Sequence, residues 1–120
     1  MKLTEHKKQW VHSRIREYCK SMKVVPPSWL FLTQKDWKQW AVYIKEQTGQ
    51  KKYRQSDSNC LGVCCYKRKV IAIFVKRFET LKRLDQTIRH ELVHYVRRYN
   101  HHSKEFHRCM EQLRKGELTA

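Results

Sequence analysis

Between positions 90 and 94 the chain reads His90-Glu91-Leu92-Val93-His94, two imidazoles four residues apart with a carboxylate beside the first. An α-helix turns about 100° per residue, so residues four apart lie about 40° apart on adjacent turns, and both rings can close on one metal ion. Glu91 lies about 100° round from His90, which is too far for an easy third ligand but well placed to take a proton from a water at that metal. Chance is a weak explanation, because a chain of this composition yields about 0.03 such matches at random.

This chemistry needs a helix and a third ligand. From Thr80 to Tyr99 the apolar residues Leu81, Leu84, Ile88, Leu92, Tyr95 and Tyr99 recur every three or four positions with no Gly or Pro, which predicts a helix. With His90 taken as zero, the apolar stripe falls at about 120° to 200° and the two histidines at about 0° and 40°. The histidines therefore leave the core stripe; a solvated polar face, flanked by Arg97 and Arg98, is the competing reading. A catalytic zinc site takes three protein ligands and keeps one open position. Asn100 is the expected helix stop. Ser103 suits the N-cap of a further helix that carries Phe106, Met110 and Leu113 and stops at Gly116. His101 and His102 fall in the turn between the two helices, from which either ring could fold back over the first. His107 lies within the second helix and reads as a surface histidine. Glu105 and Glu111 are the candidates if the third ligand is a carboxylate.

The five-residue motif, followed after seven residues by a His that opens His102-Ser103-Lys104-Glu105-Phe106, resembles the SprT-like metallopeptidases, Spartan among them. In that family the third zinc ligand is a His four residues before such a Phe, so the resemblance implies His102 in preference to His101. Asn100 and Ser103 stand where the family pattern has Gly or small residues, which leaves His101 open. Leu61-Gly62-Val63-Cys64 and the run from Arg68 to Ile73 resemble the family's Gly-containing strand pair, and the likeness covers about residues 60–113. It implies a small zincin-like α+β domain and a zinc-dependent peptidase, with His90, His94 and His102 holding zinc and Glu91 as general base. It also implies substrates associated with or crosslinked to DNA.

The remaining sequence supplies the frame. A chain of 120 residues has room for one core, so 1–120 is expected to be a single domain. The longest apolar run, Val70 to Val75, is too short to span a membrane, and the first ten residues lack a signal-peptide core. The expectation is a cytoplasmic or nucleoid-associated protein that is neither secreted nor membrane-bound. Five cysteines without paired spacing read as thiols. Cys60, Cys64 and Cys65 cluster without a partner pair, and in a strand Cys64 and Cys65 would face opposite sides. A first helix is expected over 4–22, with Val11, Ile15, Tyr18 and Met22 inward and Pro26 and Pro27 ending it. A second starts at Thr33 with Asp36 as a capping box, carries Trp37, Trp40, Ala41 and Ile44, and stops near Gly49. A polar loop over 50–58 and a hairpin over 59–66 and 68–75 follow. The four tryptophans are read as core residues at helical or helix-edge positions.

The formal net charge is +16. Such a field attracts polyanions, and nucleic acid is the commonest inside cells. The candidate phosphate contacts are Lys7, Lys8, Arg14, Arg16, Lys20 and Lys23 on the first helix, Lys51, Lys52 and Arg54 in the loop, and Lys67, Arg68 and Lys69 at the hairpin turn. The chain ends soon after the last helix, so any contact with DNA is expected from the catalytic domain itself. The competing functional class is a basic nucleic-acid-binding module whose zinc site is structural or vestigial.

Overall fold

A computed structural model describes residues 1–49, 60–98 and 102–119. The expectations placed on the 50–58 loop with Lys51, Lys52 and Arg54, and on Tyr99, Asn100 and His101, lie outside the described residues. Among those described, four α-helices surround a three-stranded sheet: α1 (Glu5–Met22), β1 (Trp29–Phe31), α2 (Gln34–Thr48), β2 (Gly62–Cys65), β3 (Val70–Ile73), α3 (Leu81–Arg97) and α4 (Lys104–Arg114). This is the expected α+β architecture, with one strand more than the hairpin. No helix among these residues is long and apolar enough to cross a membrane.

Each helix starts on a hydroxyl. Thr4, Thr33, Thr80 and Ser103 lie in extended conformation, and each side chain accepts the backbone N–H three residues on, from Lys7, Asp36, Arg83 and Phe106. Each thus satisfies one of the donors that a helix start leaves free. The first helix ends at Met22 as expected, but on its own cap, ahead of the prolines. Lys23 turns left-handed, and its N–H and that of Val24 close back on Lys20 and Cys19, so Pro26 and Pro27 follow a completed cap. The third helix ends at Arg98, also left-handed, two residues before the expected Asn100.

The sheet order is β1-β3-β2, with β3 antiparallel to β2 and parallel to β1. The hairpin is closed by a 3-10 turn over Tyr66–Arg68 and a left-handed Lys69. Strand β1 carried no sequence signal because it is three residues long and is defined only by pairing Trp29, Leu30 and Phe31 with Val70, Ile71 and Ala72. All four residues of β3 are buried. Val70 and Ala72 face Trp37 and Trp40 of α2, while Ile71 and Ile73 join the larger core beneath α1, α3 and α4. Covering both faces is why this strand reads as a continuous apolar run instead of an alternating one. Trp37 and Trp40 are buried as expected. Trp29 is not: it lies on an edge strand, half exposed.

Helix α3 is the central element, packed by α1, α4, β2 and β3. Its buried set includes Thr87, Glu91 and Val93 as well as Leu84, Ile88 and Leu92, a wider arc than the predicted stripe, while Leu81 is exposed. A polar network ties it to α1. Asp85 accepts from Arg14 Nε and Nη2 at 3.0 and 2.9 Å, from Tyr18 Oη at 2.8 Å, and from Arg89 Nη1. Burial raises the pKa of the Tyr18 hydroxyl, which keeps it a donor. Arg14 therefore serves this network, where the sequence placed it among the phosphate contacts. Removing Asp85 would leave the largely buried Arg89 guanidinium without its carboxylate, while the more exposed Arg14 keeps Glu17. Asp85→Ala is expected to lower the stability to urea by about 2–4 kcal/mol, and an unchanged unfolding midpoint would show that the network does not hold α1 to α3.

Candidate metal centre

The site is built where the last turns of α3 meet the start of α4. His90 and His94 project from consecutive turns with ring centroids 4.9 Å apart. His102 immediately precedes the Ser103 cap, and its ring lies 4.6 Å from His90 and 5.1 Å from His94. One nitrogen from each of the three falls within 4.8 Å of the others, and His94 Nε2 stands 3.1 Å from His102 Nε2. Nitrogens about 2.0–2.1 Å from one ion in a tetrahedral arrangement stand about 3.3 Å apart. The His94–His102 pair stands near that spacing, and three imidazoles are a donor set that zinc takes.

The platform beneath them is Phe106. This ring is fully buried, and its centroid lies 5.0, 4.6 and 5.0 Å from those of His90, His94 and His102. The Ser103 hydroxyl accepts the Phe106 N–H at 3.2 Å, so a single cap sets both the start of α4 and the distance from His102 to the ring below it. His90 and His94 leave the main apolar stripe as predicted, yet they lean on an aromatic floor and are only partly exposed, whereas His102 is exposed.

Electrostatics favour a neutral His90. Burial, followed by the neighbouring His94 and His102, holds the pKa of His90 down to about 4, so its ring is unprotonated at neutral pH and its lone pair is available. Glu91 is 5 % exposed, and its Oε1 lies 3.9 Å from His90 Nε2. It extends beneath β2. A methyl group at Gly62 would stand 2.9 Å from the Ala72 carbonyl oxygen and 3.2 Å from Glu91 Cγ, so the strand passes over the carboxylate only because Gly62 has no side chain. The Gly was visible in the sequence as part of a strand pair; its role was not, since nothing local links position 62 to position 91.

The alternatives separate cleanly. Among the described residues, His90, His94 and His102 form the one group of three or more potential ligands. Glu105 pairs with Arg108 and Glu111 with Arg114 on the outer side of α4, so neither carboxylate joins the cluster. Cys60, Cys64 and Cys65 do not assemble a second site. Cys64 packs on the α3 side of β2 and Cys65 on the α2 side. Burial first, and then the charge of Glu91, push the Cys64 thiol well above its usual range, which makes it a protonated packing residue. His107 is exposed and borders a shallow cleft beside His90 with Gln86, Arg89, Met110 and Glu111. Tyr95 donates from its hydroxyl to the Val25 carbonyl at 3.2 Å, in keeping with a packing role.

The family model for the SprT-like family matches residues 33–119. The match reaches well upstream of the strand pair, to take in α2. Comparison with the curated proteins and with the solved structures finds no match. Helix α1 and strand β1 precede the matched segment, although α1 braces the metal-site helix through Asp85. Gly62→Ala is expected to lower stability by about 1–3 kcal/mol, the usual cost of forcing a methyl into a filled space. Thermal unfolding of the variant checks this, and an unshifted midpoint would mean that strand and carboxylate are not in contact.

Proposed function

Since the chain belongs to the SprT-like family, we propose that it is a zinc-dependent endopeptidase directed to proteins associated with or crosslinked to DNA. The observation that carries the reading is the convergence of three imidazole nitrogens within 4.8 Å beside a buried glutamate on the same helix.

His90, His94 and His102 would hold the zinc, which supplies Lewis acidity that brings the pKa of water near neutrality and polarises a peptide carbonyl. His90 and His94 contribute from consecutive turns of one helix, which fixes their backbone positions relative to each other. Glu91, held under β2 by the bare backbone of Gly62, takes the proton of the attacking water and passes it to the leaving amine. Burial keeps this carboxylate from wandering and limits its access to bulk water.

The exposure of His102 favours an enzyme over a structural zinc site. A structural site closes around zinc with four protein ligands, whereas a catalytic one keeps a position free. Among the described residues no fourth donor joins the three histidines, and His102 is exposed. The net charge of +16 supports the choice of DNA-bound substrates, since it draws the chain to polyanions.

Glu91→Gln keeps the size of the side chain and removes the base. It is expected to retain one zinc per chain by elemental analysis while peptidase activity falls by about 10²–10⁴-fold; cleavage at the wild-type rate would overturn the mechanism. Wild-type cleavage of a DNA-bound protein is expected to exceed that of the same protein alone, and the advantage should shrink steeply as salt rises. Equal rates with and without DNA would remove DNA from the proposal and leave the peptidase.

A further inference from the structure

The cleft beside His90 plays no part in holding a metal or moving a proton. It is the groove between α3 and α4, with a volume of about 240 Å³, lined by Gln86, Arg89 and His90 from one helix and by His107, Met110 and Glu111 from the other. Each set keeps the i, i+3, i+4 spacing of a single helix face. His90 belongs both to this groove and to the imidazole cluster. A peptide lying across the three imidazoles therefore has the groove beside it.

The charges along the groove decide what it takes. On the α3 side Arg83 lies seven residues before His90, two turns along the same face. Its Nη1 donates to Gln86 Oε1 at 3.4 Å. That partner is a neutral amide, so the Arg83 charge is left uncompensated. Arg89 lies deeper, and its charge is met by Asp85. On the α4 side the Glu111 carboxylate borders the groove, yet both of its oxygens accept from Arg114 Nε, at 3.0 and 3.1 Å. Met110 adds a partly buried thioether without charge. The balance left along the groove is positive, and the net charge of +16 adds to the attraction for an anion.

We propose that the groove between α3 and α4 is a substrate subsite for a carboxylate, with Arg83 as its counter-ion and the Gln86 amide beside it. Seven helical residues rise about 10 Å, which is about three residues of extended chain. The carboxylate therefore sits about three residues from the one at the imidazoles, and it belongs to an Asp or Glu side chain or to the C-terminus of the peptide. The subsite rests on the peptidase reading above and names the peptides that the site favours. A phosphate would carry the same charge. The groove favours a peptide because it continues from the imidazoles, where a peptide must lie to be cut.

The test is binding of short fluorescein-labelled peptides to the full chain carrying Glu91→Gln, in zinc-containing buffer, read by anisotropy so that no cleavage is needed. The reference peptide is neutral and amidated; one relative carries an internal Glu, and another has a free C-terminus. At least one carboxylate peptide is expected to bind about tenfold more tightly than the reference, the scale of one hydrogen bond to a charged group. Whichever does so assigns the carboxylate to a side chain or to the terminus. Arg83 is exposed, so adding Arg83→Gln should leave the melting temperature unchanged while it removes most of that gain. Adding Lys38→Gln takes the same charge from α2, on the other face of the sheet, and should leave the gain intact. Glu111→Gln should enlarge it. Equal binding of all three peptides, or equal losses in the Arg83 and Lys38 variants, would overturn the subsite and leave the peptidase standing. So would an Arg83→Gln variant that loses binding to oligothymidylate and keeps the gain for the peptide, which would give the groove to nucleic acid. A wild type that binds the carboxylate peptide and cleaves no protein would keep the site and remove the peptidase.

Discussion

The contact between Phe106 and the three imidazoles is where local and long-range order meet. Two of the rings belong to one helix and need nothing else to share a face. The third comes from beyond that helix, and it reaches them because α4 docks through a fully buried phenyl ring that touches all three. Burying such a ring contributes on the order of 2–3 kcal/mol, and the docking it secures places His102 with no bond from that side chain to the main core. A ring is also a suitable floor for ligands, because it offers no competing donor or acceptor and leaves the imidazole nitrogens to the metal.

A helix that carries candidate metal ligands must also be held still, and α3 is braced on opposite sides by different physics. Toward α1 the brace is polar, with Asp85 shared among Arg14, Tyr18 and Arg89. Toward the sheet it is steric, with Glu91 filling the space that Gly62 leaves. The carboxylate there is an expensive group to bury. Its position under β2 and beside His90 is the cost that the general-base role proposed for it would explain.

Much of this was legible in the residues. The hydroxyl caps at Thr33 and Ser103, the helical phase of α3 and the hairpin each rest on signals within a few positions, and each was found. The short strand β1 was missed, because three residues carry too little pattern and its partner lies about forty positions away. Among the tryptophans, Trp37 and Trp40 behave as composition suggests, whereas Trp29 differs only because its strand lies at an edge. The basic residues divide in the same way: Arg14 looked like its neighbours on α1 until Asp85, 71 positions on, claimed it.

By itself the sequence determined the chemistry on offer: two histidines and a glutamate on one helix, a Phe four residues after a turn histidine, and a large positive charge. Those are properties of spacing and composition, and helical geometry converts them directly into shared faces. The tertiary structure decided which turn residue meets the pair among those described, which strand leaves room for the carboxylate, and which aromatic ring stays in water. These outcomes depend on which faces come together across dozens of residues. Such pairing is set by the packing of the whole core, which no local pattern encodes.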